Sequence, residues 1–193
     1  MKAALLGNPN VGKSLLFNAI TGLGVEVANY PGTTGSVLRG SVCTMDGPVE
    51  VIDLPGVYSL SGTSEDEGLV ASFLTSREAD VVIAVLDGTR LSRNLYLFLE
   101  ASEFGLPMVM VLNMADETDR LGLTIDTTLL EALTGIPVVS SSALLGRNVH
   151  AILPLAAREA RVPTVRVDYG KGIEAAIASL SFTFSTTRGG AVS

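Results

Sequence analysis

The octapeptide GNPNVGKS, Gly7 to Ser14, follows the apolar run AALL, Ala3 to Leu6. Gly7, Gly12, Lys13 and Ser14 fit the spacing G-x-x-x-x-G-K-[ST]; the run before them reads as a buried strand, and Lys13 to Thr21 carry a helical pattern. Phosphate chemistry requires that context. Glycines let the backbone curl so that successive N–H groups point at phosphate oxygens, and the helix adds the positive end of its dipole. On this reading Gly7, Asn8, Pro9, Asn10, Val11, Gly12, Lys13, Ser14 and Leu15 enclose the phosphates. Lys13 reaches the β- and γ-phosphates, and the Ser14 hydroxyl holds Mg²⁺.

Outward from this loop, apolar runs alternate with helical patterns. Strands are expected at Ala3 to Leu6, Val37 to Met45, Val49 to Asp53, Val81 to Leu86, Met108 to Asn113 and Pro137 to Ser140. Helices are expected at Lys13 to Thr21, Asp66 to Arg77, Ser92 to Phe104, Thr127 to Thr134 and Asn148 to Arg161. The alternation implies crossover units and a three-layer α/β fold with a mainly parallel sheet. MDGP, Met45 to Pro48, is a tight-turn signal, so one strand, Val37 to Met45, runs antiparallel. The α/β body is expected over residues 1–163. Residues 164–193 read as a connector, an amphipathic start IEAAIASL (Ile173 to Leu180) and a Ser/Thr/Gly-rich tail, as a truncated second domain would leave.

Composition narrows the function classes. The 47% hydrophobic and 17% charged content suits a globular chain, and no apolar run approaches the length of about 18 residues that a membrane span needs. One cysteine, Cys43, removes disulfides, and one histidine, His150, argues against a histidine-rich metal site or a Ser-His-Asp triad. A net charge of −7 argues against a broad nucleic-acid surface.

Two more strand ends carry chemistry. Asn113-Met114-Ala115-Asp116 follows MVMVL and faces the same end of the sheet as the phosphate loop. Guanine presents two adjacent donors that one carboxylate, Asp116, accepts together, whereas adenine would leave that carboxylate unpaired. Asn113 would brace the loop and meet the other edge of the base. Ser142-Ala143, after a third strand, offers a backbone N–H to the base carbonyl. At DLPG, Asp53 would hold Mg²⁺ through water and the Gly56 N–H would sense the γ-phosphate. In NYPGTT, Asn29 to Thr34, either Thr33 or Thr34 could close on the metal and the γ-phosphate.

These motifs in this order define a GTP-binding domain of the small-GTPase type, with a P-loop, Ras-like fold. GNPNVGKSLLFNAITG, NYPGTT, DLPGVYSLS and DGTRLSRNLYLFLEASEFGLPMVMVLNMADE together resemble the N-terminal G domain of FeoB, the prokaryotic ferrous iron transporter, a GTPase of TrmE-Era type, over roughly residues 1 to 160. The resemblance selects Thr34 as the switch residue. It also implies a following helical domain, a membrane permease for Fe²⁺, small cytosolic Feo accessory proteins as partners, and a place on the cytoplasmic side of the inner membrane.

The catalytic reading has a gap. Ras-type enzymes carry a water-orienting glutamine after D-x-x-G; here the residue is Val57, so turnover should be slow and another group must position water. Arg39 is the nearest arginine for transition-state charge, although its strand position points to solvent. The resemblance implies that Asn10 helps hold a K⁺ ion bridging the phosphates; otherwise Asn10 caps its own loop. Lys13, Asn10, Thr34 and Gly56 are therefore the catalytic candidates; Ser14, Thr34 and Asp53 are the Mg²⁺ candidates. Two other classes compete with a slow regulatory GTPase for GTP and GDP. One is an RNA-associated Era-type GTPase, whose basic appendage is missing from this acidic chain. The other is a nucleotide-binding interaction module with negligible turnover, which Val57 keeps open.

Overall fold

A computed structural model describes residues 1–22, 25–29 and 36–165. Its strands are β1 (Lys2–Gly7), β2 (Val25–Asn29), β3 (Ser36–Thr44), β4 (Gly47–Asp53), β5 (Val81–Asp87), β6 (Met108–Asn113) and β7 (Val138–Ser140). They form one seven-stranded sheet in the order β2-β3-β4-β1-β5-β6-β7. β3 alone runs against the rest, pairing antiparallel with β2 and with β4, while β4, β1, β5, β6 and β7 are parallel. The expected three-layer, mainly parallel fold with one antiparallel strand is what forms.

The helices are α1 (Lys13–Thr21), α2 (Glu65–Ser76), α3 (Leu91–Ser102), α4 (Ala115–Arg120), α5 (Thr127–Thr134) and α6 (Val149–Glu159), with a 3₁₀ turn at Gly88–Arg90. Alternate strand residues sort them onto two faces. Ala4, Leu6, Ile52, Val82, Ala84, Met108 and Met110 pack against Leu69, Val70 and Phe73 of α2 and Leu97 and Phe98 of α3. Ala3, Leu5, Val51, Ile83, Val109 and Val111 pack against Leu16 and Phe17 of α1 and Ile152 and Leu153 of α6. β5 is buried along its whole length, which is why VVIAVL reads as a continuous apolar run.

Local signals set the ends. The Ser64 hydroxyl accepts from the Glu67 N–H at 3.2 Å, and Glu65, Asp66 and Glu67 follow in the first turn of α2. Gly135 closes α5 at φ 76°, its N–H bonded to the Glu131 carbonyl at 2.8 Å. The β3–β4 turn places only Met45 and Asp46 between the paired Thr44 and Gly47, so β3 stops one residue before Met45 and β4 starts two before Val49. Two elements go beyond the sequence reading. β2 is a short edge strand paired with β3, and α4 is a helix of 6 polar-rich residues that begins two residues after the NMAD asparagine. Val165 still packs against the first core and Thr164 N–H donates to Thr134 O, so the packed body reaches past residue 163. The expected helix at Ile173 to Leu180 and the tail lie outside the described residues.

Arg39 corrects an expectation. It is not a solvated strand residue: its guanidinium bonds Glu50 and Glu78, each at 2.9 Å, and its side chain is 22% exposed. Lys2 reaches the same Glu78 at 3.5 Å, so this cluster ties β1, β3 and β4 at the end of β1 remote from Gly7. It is therefore no source of transition-state charge. Burial pushes the Glu78 carboxyl up, but the hydrogen bond and charge of Arg39 outweigh it and hold the group below its ordinary value of 4.5. A carboxylate lowered in the fold stabilises above pH 4.5, and that stability is lost as pH falls through the lower folded value. Thermal unfolding of Arg39→Met across the acid range should show a flatter pH dependence than wild type. Parallel curves would mean that the cluster carries no pH-linked stability.

Candidate functional site

The carboxyl ends of β1, β4, β5 and β6 lie at one edge of the sheet, where open α/β folds bind ligands. The register brings Leu5 beside Asp53, Gly7 beside Val85, and Asp87 beside Asn113. From β1 the chain turns through residues 8–12 into α1, around a cleft of about 300 Å³ lined by Asn8, Pro9, Asn10, Gly12, Lys13, Ser14, Leu15 and Gly56. Two loop residues are left-handed, Asn10 at φ 66° and Gly12 at φ 80°. At Gly12 a Cβ would run into the side-chain amide of Asn113, so glycine is required there both for conformation and for space. Val11 turns its side chain into the core and leaves its carbonyl to the loop.

Lys13 and Ser14, the first helical residues, meet the end of β4. Lys13 Nζ donates to Asp53 Oδ1 at 2.5 Å and also to the Leu54 carbonyl, while Ser14 Oγ donates to Asp53 Oδ2 at 2.8 Å. The Lys13 and Asp53 side chains are 7% and 4% exposed, so each charge depends on the other for compensation. Two hard oxygens, a hydroxyl and a carboxylate, thus stand on one side of the cleft. This donor set suits a small divalent cation such as Mg²⁺.

Beyond the loop lies Asn113, 2% exposed. Its Nδ2 donates to the Val11 carbonyl and its Oδ1 accepts the Ala143 N–H, both at 2.9 Å. Met114 turns left-handed at φ 63° and starts α4, which carries Asp116 in its first turn. The Asp116 carboxylate is half-buried and has no hydrogen-bond or ion-pair partner among the described residues. The β7–α6 loop closes over the same region. Ser142 and Arg147 exchange two backbone hydrogen bonds, at 3.1 and 3.0 Å, and Arg147 reaches Asp119 of α4 at 2.7 Å.

The sequence candidates therefore separate. Of residues 7–15, all but Gly7 and Val11 line the cleft together with Gly56, and Asp53 joins them through Lys13 and Ser14; Gly56 is so near that a Cβ there would lie 3.1 Å from Pro9 Cα. Asn113, Met114 and Asp116 form the next group along the sheet edge. The Ser142 and Ala143 amides are both engaged internally, so either reaches a base carbonyl only by sharing its hydrogen. Thr33 and Thr34 lie outside the described residues. Val57 is 3% exposed and packs in the core. Sequence reading overlooked two groups that shape the site. One is Asp87, whose carboxylate caps the Thr89 N–H and hydroxyl at 2.8 and 2.7 Å; the D-x-T spacing signals such a cap. The other is Glu100, which reaches the segment after DLPG at a separation of 40 residues, with no local signal.

A family model described as ferrous iron transport protein B matches residues 1–155. The chain is 38% identical over 187 residues to the Fe(2+) transport protein A/Fe(2+) transporter FeoB fusion protein of Porphyromonas gingivalis, covering 94% of this chain and 22% of that one. It is 40% identical over 152 residues to the Fe(2+) transporter FeoB of Escherichia coli K12, covering 77% and 20%. It thus spans about a fifth of the length of these curated relatives. Among solved structures, the cytosolic domain of L. pneumophila FeoB superposes with a TM-score of 0.87 at 33% identity, covering 99% of this chain and 83% of that one. A GDP-bound mutant of S. thermophilus NFeoB gives 0.84 at 39% identity, covering 93% and 70%.

The Asn113 bridge makes a direct prediction. Asn113→Ala orphans a buried carbonyl and a buried N–H and should lower unfolding free energy by about 2–4 kcal/mol. Asn113→Asp should be no better, because its carboxylate would oppose the Val11 carbonyl. A loss under about 0.5 kcal/mol in denaturant titration would show that the bridge does not hold the two loops together.

Proposed function

This chain belongs to the ferrous iron transport protein B family, through the G domain at the N-terminus of that family, and from that premise we propose that it binds Mg²⁺·GTP and slowly hydrolyses it to GDP and phosphate as a switch. The observation that carries the reading is the common sheet edge: a phosphate cleft with Lys13, Ser14 and Asp53 at one end, and the unpartnered Asp116 carboxylate beside the buried Asn113. Membership in this family supports the regulatory GTPase over the Era-type alternative. The bound GDP of the S. thermophilus relative supports a guanine nucleotide in this cleft.

In this mechanism the amides of residues 10–14 and the start of α1 donate to the β-phosphate. Lys13 exchanges its bonds to Asp53 and Leu54 for the β–γ bridging and γ-oxygens, where negative charge accumulates as water attacks phosphorus and the bond to GDP breaks. Ser14, Asp53 and, by resemblance, Thr34 would hold Mg²⁺, which would supply neutralisation of phosphate charge. Asn10 lines the cleft, is exposed, and has no side-chain hydrogen-bond partner among the described residues. This suits the reading in which it helps hold K⁺ where other G domains place an arginine. Asp116 takes both guanine donors, and Asn113 fixes the loop that carries the base.

As a hydrolysing switch, the domain would change segments 29–34 and 56–62 with nucleotide state. In a full-length transporter those changes would pass to a helical domain, an Fe²⁺ permease at the inner membrane and Feo accessory proteins. No helix among the described residues is long and apolar enough to cross a membrane. The buried Val57 favours a second reading, a binding module with negligible turnover.

Phosphate release in matched KCl and NaCl separates the two. A GTPase should release phosphate from GTP and not from ATP, faster in K⁺, and Asn10→Ala should remove the K⁺ advantage. Turnover indifferent to the cation would return Asn10 to a structural role, and no turnover would leave the binding module. Asp116→Asn should move preference from GTP toward XTP by about 100-fold or more; unchanged selectivity would overturn the base assignment.

A further inference from the structure

Residues 57–63 join the phosphate cleft to α2 without helix or strand. At the upstream end the Val57 N–H donates to the Gly7 carbonyl at 3.3 Å, while the Val57 side chain is buried in the core. Farther along, Ser61 and Thr63 are held locally by Glu67. The long-range hydrogen bonds of residues 58–63, among the described residues, converge on a single carboxylate. Ser59 Oγ donates to Glu100 Oε1 at 3.1 Å, and the Leu60 N–H donates to Glu100 Oε2 at 2.7 Å. One face of α3 supplies a second contact, because Arg93 lies seven residues, about two turns, before Glu100. Its guanidinium sits 4.6 Å from the centre of the Tyr58 ring.

We propose that Glu100 is a positioning residue for GTP hydrolysis: from α3 it holds Ser59 and Leu60, and so keeps the Gly56–Val57 main chain beside the phosphate loop, where water must be oriented for attack. The inference deepens the proposed function and rests on it. A valine turned into the core cannot orient water, so that task falls to main-chain groups. Main chain without helix or strand keeps its geometry only if something outside it supplies anchors. A carboxylate accepting one backbone N–H and one hydroxyl makes two charge-assisted hydrogen bonds and fixes two successive residues. Leu60 is three residues from Val57, at most about 10–11 Å of chain, so slack at the anchor reaches Gly56 directly. A positional error of about 1 Å is enough to slow an enzymatic step on the order of 100-fold.

The test compares GTP turnover and the affinity for a fluorescent GDP analogue in wild type, Glu100→Ala and Glu100→Gln. Glutamine keeps an acceptor oxygen for the Leu60 N–H, and its amide group donates to the Ser59 hydroxyl. Glu100→Ala should lower kcat by about 10-fold or more, with nucleotide affinity and unfolding midpoint near wild type. Glu100→Gln should stay within about 3-fold of wild type. Ser59→Ala removes one of the two bonds from the opposite side and should give an intermediate kcat, which provides a reading even where Glu100→Ala fails to fold. Unchanged kcat in Glu100→Ala or Ser59→Ala overturns the proposal. So does a parallel fall in kcat and affinity, or a loss that glutamine does not restore. Failure of the hydrolysis reading itself is distinguishable, because the wild-type chain would then release no phosphate.

Discussion

Asn113 makes the two hydrogen bonds on which the rest of the site depends. One holds the Val11 carbonyl of the phosphate loop and the other the Ala143 N–H of the β7–α6 loop, with the asparagine itself buried at the end of β6. Three loops that are distant in sequence become one surface through a single amide. Gly12 is part of the same constraint, since any larger residue there would displace that amide. A buried polar network of this kind fixes geometry because leaving either partner unpaired is costly.

The charged half of the site follows a second rule. Lys13 and Asp53 are both almost fully buried, and each is tolerated because the other is there. Under the proposed function, a phosphate would attract the lysine and a divalent cation the carboxylate, so Mg²⁺·GTP would let the pair separate without leaving a charge uncompensated. Around it the sheet is conventional α/β construction, with alternate residues of β1, β5 and β6 filling two cores and leaving their carboxyl ends to chemistry.

What was legible in the sequence depended on how local its cause was. The loop of residues 7–14 and NMAD are set by neighbouring residues, and each sits at the strand end where spacing placed it. The layers and the reversed β3 followed from apolar runs and one turn signal. β2 escaped because VEVAN is a short edge strand whose only strand partner among the described residues is β3. α4 escaped because six polar-rich residues after a loop motif carry no helical stripe. Arg39 was misplaced because its partner Glu78 lies 39 residues away. The engaged amides of Ser142 and Ala143, and the reach of Glu100 to Leu60, likewise depend on contacts that only the folded chain creates.

The central claim is that this sheet edge selects a guanine nucleotide, with Asp116 reading the base and the phosphate loop holding the charge. Calorimetric titration of the nucleotide-free chain with GDP and with ADP, in Mg²⁺, tests it most directly. The account predicts that GDP binds at least about 100-fold more tightly than ADP, since adenine leaves the Asp116 carboxylate unpaired. Comparable affinities, or tighter binding of ADP, would contradict it.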